Sequence, residues 1–201
     1  MSDRMALKTA IELMHVPSQV RLFRSEPLPD GVLTLLRIAA GEDEAERMAV
    51  ELTGRSRDTV RRAAPFFIEQ ILFAPNADSY RVLGTNPQAS AAELRRNLAL
   101  LLRWLHPDLD PGGERAIFIG RVTAAWNNLK TPERRAAYDS ALKNTRDPAK
   151  SRLRRRARRK QLAAALPRRN GSAREATMAY PAEKIGFFRR ALSVLFHRPL
   201  Q

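Results

Sequence analysis

The fold of this chain is decided by residues 90–108, which read SAAELRRNLALLLRWLHPD. Ser90 and Glu93 have the spacing of a capping box, in which each side chain accepts a hydrogen bond from the backbone of the other, so a helix is expected to begin here. Leucines then recur every three or four residues, at positions 94, 98, 101 and 105, and lie on one helical face. His106-Pro107-Asp108 opens a loop that reaches Gly113, and the proline restricts the backbone there.

A second apolar stripe follows the loop, in a predicted helix over residues 115–129, and consists of Ile119, Val122, Trp126 and Leu129. Two helices with facing apolar stripes are expected to pair as an antiparallel hairpin. Short helices are predicted on either side, over residues 80–83 and 132–142, the latter capped by Thr131 with Pro132 at its first position. Tyr80, Leu83 and Tyr138 are expected to close the end of the hairpin, because they bury large apolar areas.

Three sequence landmarks stand in register around this hairpin. They are DSYRVLG at residues 78–84, HPD at residues 106–108 and RRAAYD at residues 134–139. Together they resemble the J-domain of the DnaJ family, with its tyrosine-led opening, its HPD loop between two antiparallel helices and its closing "RxxYD". The resemblance covers about a third of the chain and implies a J-domain over residues 78–142.

The resemblance implies that the chain is a co-chaperone. His106, Pro107 and Asp108 would dock on a DnaK-type ATPase chaperone and speed its ATP hydrolysis, so the nucleotide would stay on the partner. Arg95 and Arg96 match basic positions of the family, and Arg103 adds a third positive charge close to the loop. Residues 98–100 (Leu-Ala-Leu) replace the family's tyrosine and the basic pair after it, so a weaker electrostatic contact is expected.

The residues of the loop favour recognition over catalysis. A fixed turn that presents an imidazole and a carboxylate can accept an arginine fork and donate to a partner surface. A His–Asp pair can also belong to a hydrolase, but no serine, cysteine or metal-ligand set accompanies this one. The chain has no cysteine and three scattered histidines, which excludes thiolate catalysis and disulfides. We therefore expect no enzymatic activity, cofactor or metal.

The predicted fold class is all-α, since no stretch alternates apolar and polar residues long enough to make a sheet. In the helical N-terminal region, residues 1–77, helices are predicted over residues 5–14, 31–40, 42–52 and 60–73. Asp30 is the predicted N-cap of the second helix, and Gly41 is predicted to end it. Gly54 is predicted to end the third helix, Ser56 to cap the fourth, and Pro65 to kink or break the fourth. Residues 98–102 are apolar on nearly all sides of their helix, so we expect helices of residues 28–74 to pack on Leu98 and Leu102.

Residues 48–62 also resemble a helix-turn-helix, with Gly54 in the turn and a polar, arginine-rich second helix. This pattern predicts phosphate contact in a nucleic-acid-binding protein. The alternative is plain helical packing, favoured because the net charge of residues 1–77, which contain the segment, is close to zero and because Pro65 is expected to cut the second helix short.

The net charge of +15 is unevenly distributed, at −1 for residues 1–77, +2 for residues 78–142 and +14 for residues 143–201. This tail is predicted to be helical or partly disordered, with a basic run at residues 152–160 and an apolar stripe at residues 184–197. The stripe is too short to span a bilayer, but beside the basic run it can bind an anionic membrane surface. Nucleic acid is the alternative partner for residues 150–201, and return of the stripe to the core is a third reading. Vesicle co-sedimentation with and without residues 180–201 tests them.

No signal peptide or membrane-spanning run of about 18 apolar residues is recognisable. A cytoplasmic protein is expected, with the inner face of a membrane as a further location. If the J-domain resemblance did not extend to function, the chain would be a J-like interaction module at such a surface.

Overall fold

The computed structural model describes residues 3–109 and 112–146, which form helices and turns with no strand among them, so the predicted all-α class is confirmed. These described residues all belong to one compact unit. The α-helices of the described residues are α1 Asp3–His15, α2 Val20–Phe23, α3 Val32–Ala39, α4 Asp43–Thr53, α5 Arg57–Phe67, α6 Ser79–Val82, α7 Ala91–Trp104, α8 Ile119–Leu129 and α9 Pro132–Arg146. The predicted tail segments at residues 152–160 and 184–197 lie outside the described residues.

The N-terminal helices pack into a common core. Helix α1 lies against α3, α4 and α5, and α3 also contacts α4 and α5. Leu7, Leu13, Leu35 and Phe67, from three of these helices, are at most 1% exposed. This burial removes a large apolar area from water and holds the short helices in place, since isolated helices of this length are marginal in water.

The predicted N-cap of α3 is wrong. The cap is Gly31, whose φ of 90° lies in the left-handed region, and no side chain makes a capping hydrogen bond there. Asp30 instead accepts a hydrogen bond at its backbone carbonyl from the Ala6 N–H, at 3.0 Å. Because the left-handed turn is made at Gly31, the N-cap lies one residue after the predicted Asp30. Of the other predicted boundaries, Gly54 ends α4 and the Ser56 side chain accepts from the Thr59 N–H. Gly41, with a φ of 77°, directly follows Ala40, the C-cap of α3.

Pro65 does not break α5, which continues to Phe67. The expectation that Pro65 cuts short the second helix of the helix-turn-helix pattern is therefore wrong. A π-helical turn, Ile68–Leu72, follows, and the Phe73 N–H donates to the Ile68 carbonyl at 2.9 Å. Proline removes one backbone donor, but Ala64 and Phe67 beside it are fully buried, and this packing holds the helix together.

Helices α7 and α8 form the predicted hairpin. The capping box is confirmed, because Ser90 accepts from the Glu93 N–H while the Ser90 N–H donates to Glu93 Oε2 at 2.7 Å. The four leucines of the α7 stripe are at most 5% exposed. Helix α8 begins later than predicted, because Glu114–Phe118 is a 3-10 helix that Gly113 opens with a φ of 66°.

Helices α6 and α9 close the hairpin, as predicted from Tyr80, Leu83 and Tyr138. Tyr80 and Leu83 are buried, and Tyr138 is half-buried against them. The Tyr138 hydroxyl accepts the Ser79 N–H at 2.7 Å, and the Tyr80 hydroxyl donates to Asp139 Oδ1 at 2.7 Å. The two tyrosine rings meet edge to face at 5.9 Å. These contacts connect the two ends of residues 78–142.

The N-terminal helices cover the hairpin, as the apolar run of α7 predicted. Helix α3 packs on α7, Leu98 is 5% exposed and Leu102 is half-buried in the shared core. Two arginines of residues 78–142, called the hairpin unit below, form hydrogen bonds with the N-terminal region. Arg81 donates to the backbone carbonyls of Phe23 and Glu26, and Arg121 donates to those of Phe73 and Ala74. Helix α7 is therefore buried on two sides, by α8 and by α3.

Candidate partner-binding site

The His106-Pro107-Asp108 turn lies where α7 ends. The His106 N–H donates to the Arg103 carbonyl at 3.1 Å, and the Leu109 N–H donates to the His106 carbonyl at 2.9 Å, so Pro107–Leu109 form a short 3-10 turn. Pro107, Asp108 and Leu109 are exposed, and the His106 side chain is 33% exposed. The three predicted residues are therefore brought together at the surface, at the tip of the α7–α8 hairpin.

His106 and Asp108 also contact each other. His106 Nδ1 lies 3.2 Å from the Asp108 backbone nitrogen and 3.3 Å from Asp108 Oδ2. A neutral ring accepts the Asp108 N–H at this atom, whereas a protonated ring donates from it to the carboxylate. The Asp108 carboxylate is 86% exposed and open to a cationic group of another molecule.

The three predicted arginines, Arg95, Arg96 and Arg103, are exposed on α7. Arg96 and Arg103 are seven residues apart, so they share a face at a separation of about 10 Å along the helix. None of the three forms an ion pair within residues 3–109 and 112–146. This face, defined by these three residues and called the basic face below, can meet an acidic surface without first breaking an internal ion pair.

The three residues that depart from the family pattern differ in burial. Leu98 is buried and Leu100 is half-buried, while Ala99 is exposed on the basic face between Arg96 and Arg103. Leu98 is part of the shared core, so a polar side chain is disfavoured at its position. The basic face therefore has a gap at Ala99.

Sequence reasoning missed two residues beside the turn, Trp104 and Arg115. Trp104 is 1% exposed at the end of α7, and the Arg115 guanidinium lies 5.0 Å from the centre of its ring. Arg115 also donates to the Leu109 carbonyl at 3.1 Å. The available signal was weak: a tryptophan next to the loop, and an arginine two residues after Gly113.

The helix-turn-helix pattern at residues 48–62 forms, but three of its four arginines, Arg57, Arg61 and Arg62, form ion pairs within the protein. Arg57 contacts Glu46 and Asp43, each at 2.6 Å, and Arg61 contacts Glu46 at 3.3 Å. The hydrogen bond and charge of Glu46 raise the pKa of Arg57. Glu46 is 4% exposed, so the pairs compensate a carboxylate that burial would otherwise destabilise. This pairing favours the packing interpretation of the segment.

Within the described ranges, no three His, Cys, Asp or Glu side chains converge as a metal site would need. In the same part of the chain no helix has both the length and the apolar character to cross a bilayer. The predicted membrane or nucleic-acid contact of residues 150–201 lies outside the described residues and stays a prediction from charge.

Comparison with known proteins identifies the hairpin unit. Residues 78–139 match the family model described as DnaJ domain, which confirms the J-domain that the sequence motifs predicted. The chain is 44% identical over 62 residues to the chaperone protein DnaJ of Tropheryma whipplei (strain Twist), covering 31% of this chain and 17% of that protein. It is 39% identical over 74 residues to the human DnaJ homolog subfamily C member 16, covering 36% of this chain and 9% of that protein.

A third relative, the chaperone protein DnaJ of Acetivibrio thermocellus, is 33% identical over 76 residues, covering 37% of this chain and 20% of that protein. The chain thus spans about a fifth or less of the length of these relatives. No solved structure matches it.

Proposed function

We propose that this chain is a J-domain co-chaperone, which binds a DnaK-type ATPase chaperone through His106, Pro107 and Asp108 and stimulates its ATP hydrolysis. The observation that carries the proposal is the exposure of this tripeptide at the tip of the hairpin, within the segment that matches the DnaJ domain. An exposed polar turn adds little to folding stability, so binding of another molecule is the better account of it. In this role the chain assists folding or quality control and performs no catalysis itself.

The chemistry of the turn suits a protein partner. The Asp108 carboxylate can accept both hydrogen bonds of an arginine fork, and Pro107 limits the entropy that the turn loses when it docks. The basic face adds long-range attraction to an acidic surface, which raises the association rate and makes it sensitive to salt. Because the face has a gap at Ala99, this attraction is weaker than in J-domains with a continuous basic helix.

The proposal is tested by the steady-state ATPase rate of a DnaK-type chaperone titrated with the full chain. We expect wild type to stimulate the rate, and we expect the stimulation by His106→Gln to be smaller by about tenfold or more, as is typical when a central contact residue is replaced. The matched control is His15→Gln, because His15 is also exposed and lies on α1, where Nδ1 donates to the Ile11 carbonyl at 2.7 Å.

His15→Gln is expected to stimulate as wild type does. Circular dichroism of both variants should match wild type, which separates loss of contact from loss of fold. Absence of stimulation by wild type, or equal stimulation by His106→Gln, contradicts the proposal.

A further inference from the structure

Arg115 connects the two ends of the His106-Pro107-Asp108 turn. Its Nη1 atom donates to the Leu109 carbonyl at 3.1 Å and to the Trp104 carbonyl at 3.4 Å. Its guanidinium carbon is 5.0 Å from the Trp104 ring centre, within the range of a cation–π contact. Trp104 precedes the turn and Leu109 follows it, so one side chain contacts the backbone on both sides of it.

Pro107 explains why the turn uses a donor from elsewhere in the chain. In a 3-10 turn each N–H donates to the carbonyl three residues before it, as His106 does to Arg103 and Leu109 does to His106. In this spacing residue 107 would donate to the Trp104 carbonyl, but proline has no N–H. That carbonyl also lies at the negative end of the α7 dipole, where a cation is stabilised. Arg115 supplies both the donor and the cation.

Packing fixes the ring on which Arg115 rests. Trp104 is 1% exposed, and its ring centre lies 6.0 Å from that of Phe73, which in turn lies 4.8 Å from that of Phe118. Gly113, in its left-handed conformation, opens the 3-10 helix that carries Arg115 back beside α7. The Arg115 guanidinium is therefore anchored to the core while its hydrogen bonds reach the exposed turn.

We propose that Arg115 is a positioning residue, which holds the His106-Pro107-Asp108 turn in the orientation that the chaperone binds. This proposal rests on the co-chaperone function. Without Arg115 the turn keeps the hydrogen bond from Leu109 to His106, so it still forms but is free to tilt at the end of α7. The fraction of molecules in the binding orientation then falls, and the apparent affinity falls by the same factor, while the bound state is unchanged.

The test uses Arg115→Met and Arg115→Lys in the full chain. Methionine keeps an apolar stem against Trp104 and removes the charge and both hydrogen bonds, whereas lysine keeps the charge and one donor group. In the ATPase titration the concentration for half-maximal stimulation should rise about tenfold for methionine and about threefold for lysine. Maximal stimulation at saturation should stay at the wild-type level in both. A general loss of fold would also raise the half-maximal concentration, so the helical circular dichroism signal of both variants should match that of wild type.

Arg47→Met is the matched control, since the Arg47 side chain is 67% exposed on α4 and pairs only with Glu44 among the described residues. It should leave the half-maximal concentration unchanged. A comparable rise in that concentration for Arg47→Met would show that loss of any surface arginine weakens the contact, and would contradict a role specific to Arg115.

A second readout needs no partner. Hydrogen exchange at the Asp108 and Leu109 amides should be faster in Arg115→Met than in wild type or Arg47→Met, because the turn opens more often. Failure of wild type to stimulate the chaperone would overturn the co-chaperone function and this role with it. If wild type stimulates, while Arg115→Met changes neither the half-maximal concentration nor the exchange rates, the Arg115 proposal alone is overturned.

Discussion

The Tyr80 hydroxyl lies between an acceptor and a donor from α9. It donates to Asp139 Oδ1 at 2.7 Å and accepts from Arg135 Nε at 3.0 Å. Burial, followed by the hydrogen bond to Asp139, raises the pKa of Tyr80 from 10.0 to about 12, although Arg135 acts in the opposite direction. The folded state is therefore more stable when the Tyr80 phenol is neutral than when it is ionised.

This pKa shift predicts a pH dependence of stability. Because the folded pKa lies above the unfolded value, the stabilisation is fully present below pH 10 and is lost as the pH rises through about 12. We expect urea unfolding between pH 9 and pH 12 to show a steeper loss for wild type than for Tyr80→Phe, since the other titrating groups are common to both. Parallel curves would contradict the assignment of this shift to Tyr80.

The residues of the candidate site were only partly predictable. His106, Pro107 and Asp108 form a contiguous motif in a recognisable frame, so their place at the hairpin tip follows from the sequence. The role proposed for Arg115 depends on two facts that are not local in sequence, the missing N–H of Pro107 and the direction that Gly113 gives to the chain. Phe73 is more distant still, because it reaches Trp104 only through the packing of the N-terminal helices.

At the scale of the elements, Gly84 marks the junction between α6 and the N-terminal helices. Its φ of +64° is left-handed, and a Cβ added there would lie 3.0 Å from Val32 Cγ1, 3.3 Å from Leu36 Cδ1 and 3.4 Å from Leu72 Cδ1. Gly54, at the end of α4, has almost the same φ of +63° but no atom within 4 Å of the added Cβ. An alanine at either position would therefore have the same backbone strain, but only the alanine at Gly84 would be crowded by neighbouring side chains.

Gly54→Ala is expected to lower the free energy of unfolding by about 1 kcal/mol, the cost of a left-handed alanine. Gly84→Ala should cost about 1–2 kcal/mol more, because Val32 and Leu36 must move to admit the methyl group. Denaturant unfolding of both variants measures the difference. Equal losses would mean that α3 does not pack tightly against this turn.

Most helices could be predicted because their caps and apolar periods are local, as the Ser90–Glu93 capping box illustrates. The errors had two causes, tertiary packing at Pro65 and the local backbone conformation of Gly31 at Asp30. Pro65 costs α5 one hydrogen bond, but the buried residues around it hold the helix together. At Asp30 a favourable capping side chain was present, but the left-handed Gly31 set the start of α3.

At the scale of the whole molecule, the apolar run of α7 was informative because it left more apolar surface than one partner helix can cover. That excess predicted the cover by the N-terminal helices, but not which contacts make it. The Arg121 bonds to Phe73 and Ala74 and the Phe73–Trp104 contact depend on the relative placement of segments far apart in sequence. The described helices before and after residue 77 therefore share one core.

A shared core predicts that damage in the N-terminal helices is felt in the J-domain. Leu35, on α3, is completely buried, so Leu35→Ala should lower the free energy of unfolding by about 2–5 kcal/mol. The chain has two tryptophans, Trp104 and Trp126, and both lie within the DnaJ-domain match, so their fluorescence reports that domain together with the contact between the Trp104 ring and Phe73. If the core unfolds cooperatively, the fluorescence midpoint should shift as far as the helical circular dichroism signal.

Leu52→Ala, at a leucine that is 37% exposed on α4, is the control and should shift both midpoints by much less. A Leu35→Ala protein whose helical signal shifts while its fluorescence midpoint stays fixed would show that the J-domain folds independently. In that case the N-terminal helices could separate from α7 and expose Leu98 and Leu102 next to the basic face. Coincident shifts would instead mean that α7 stays covered on the α3 side, so that in the proposed co-chaperone function only the basic face and the turn would be open to the chaperone.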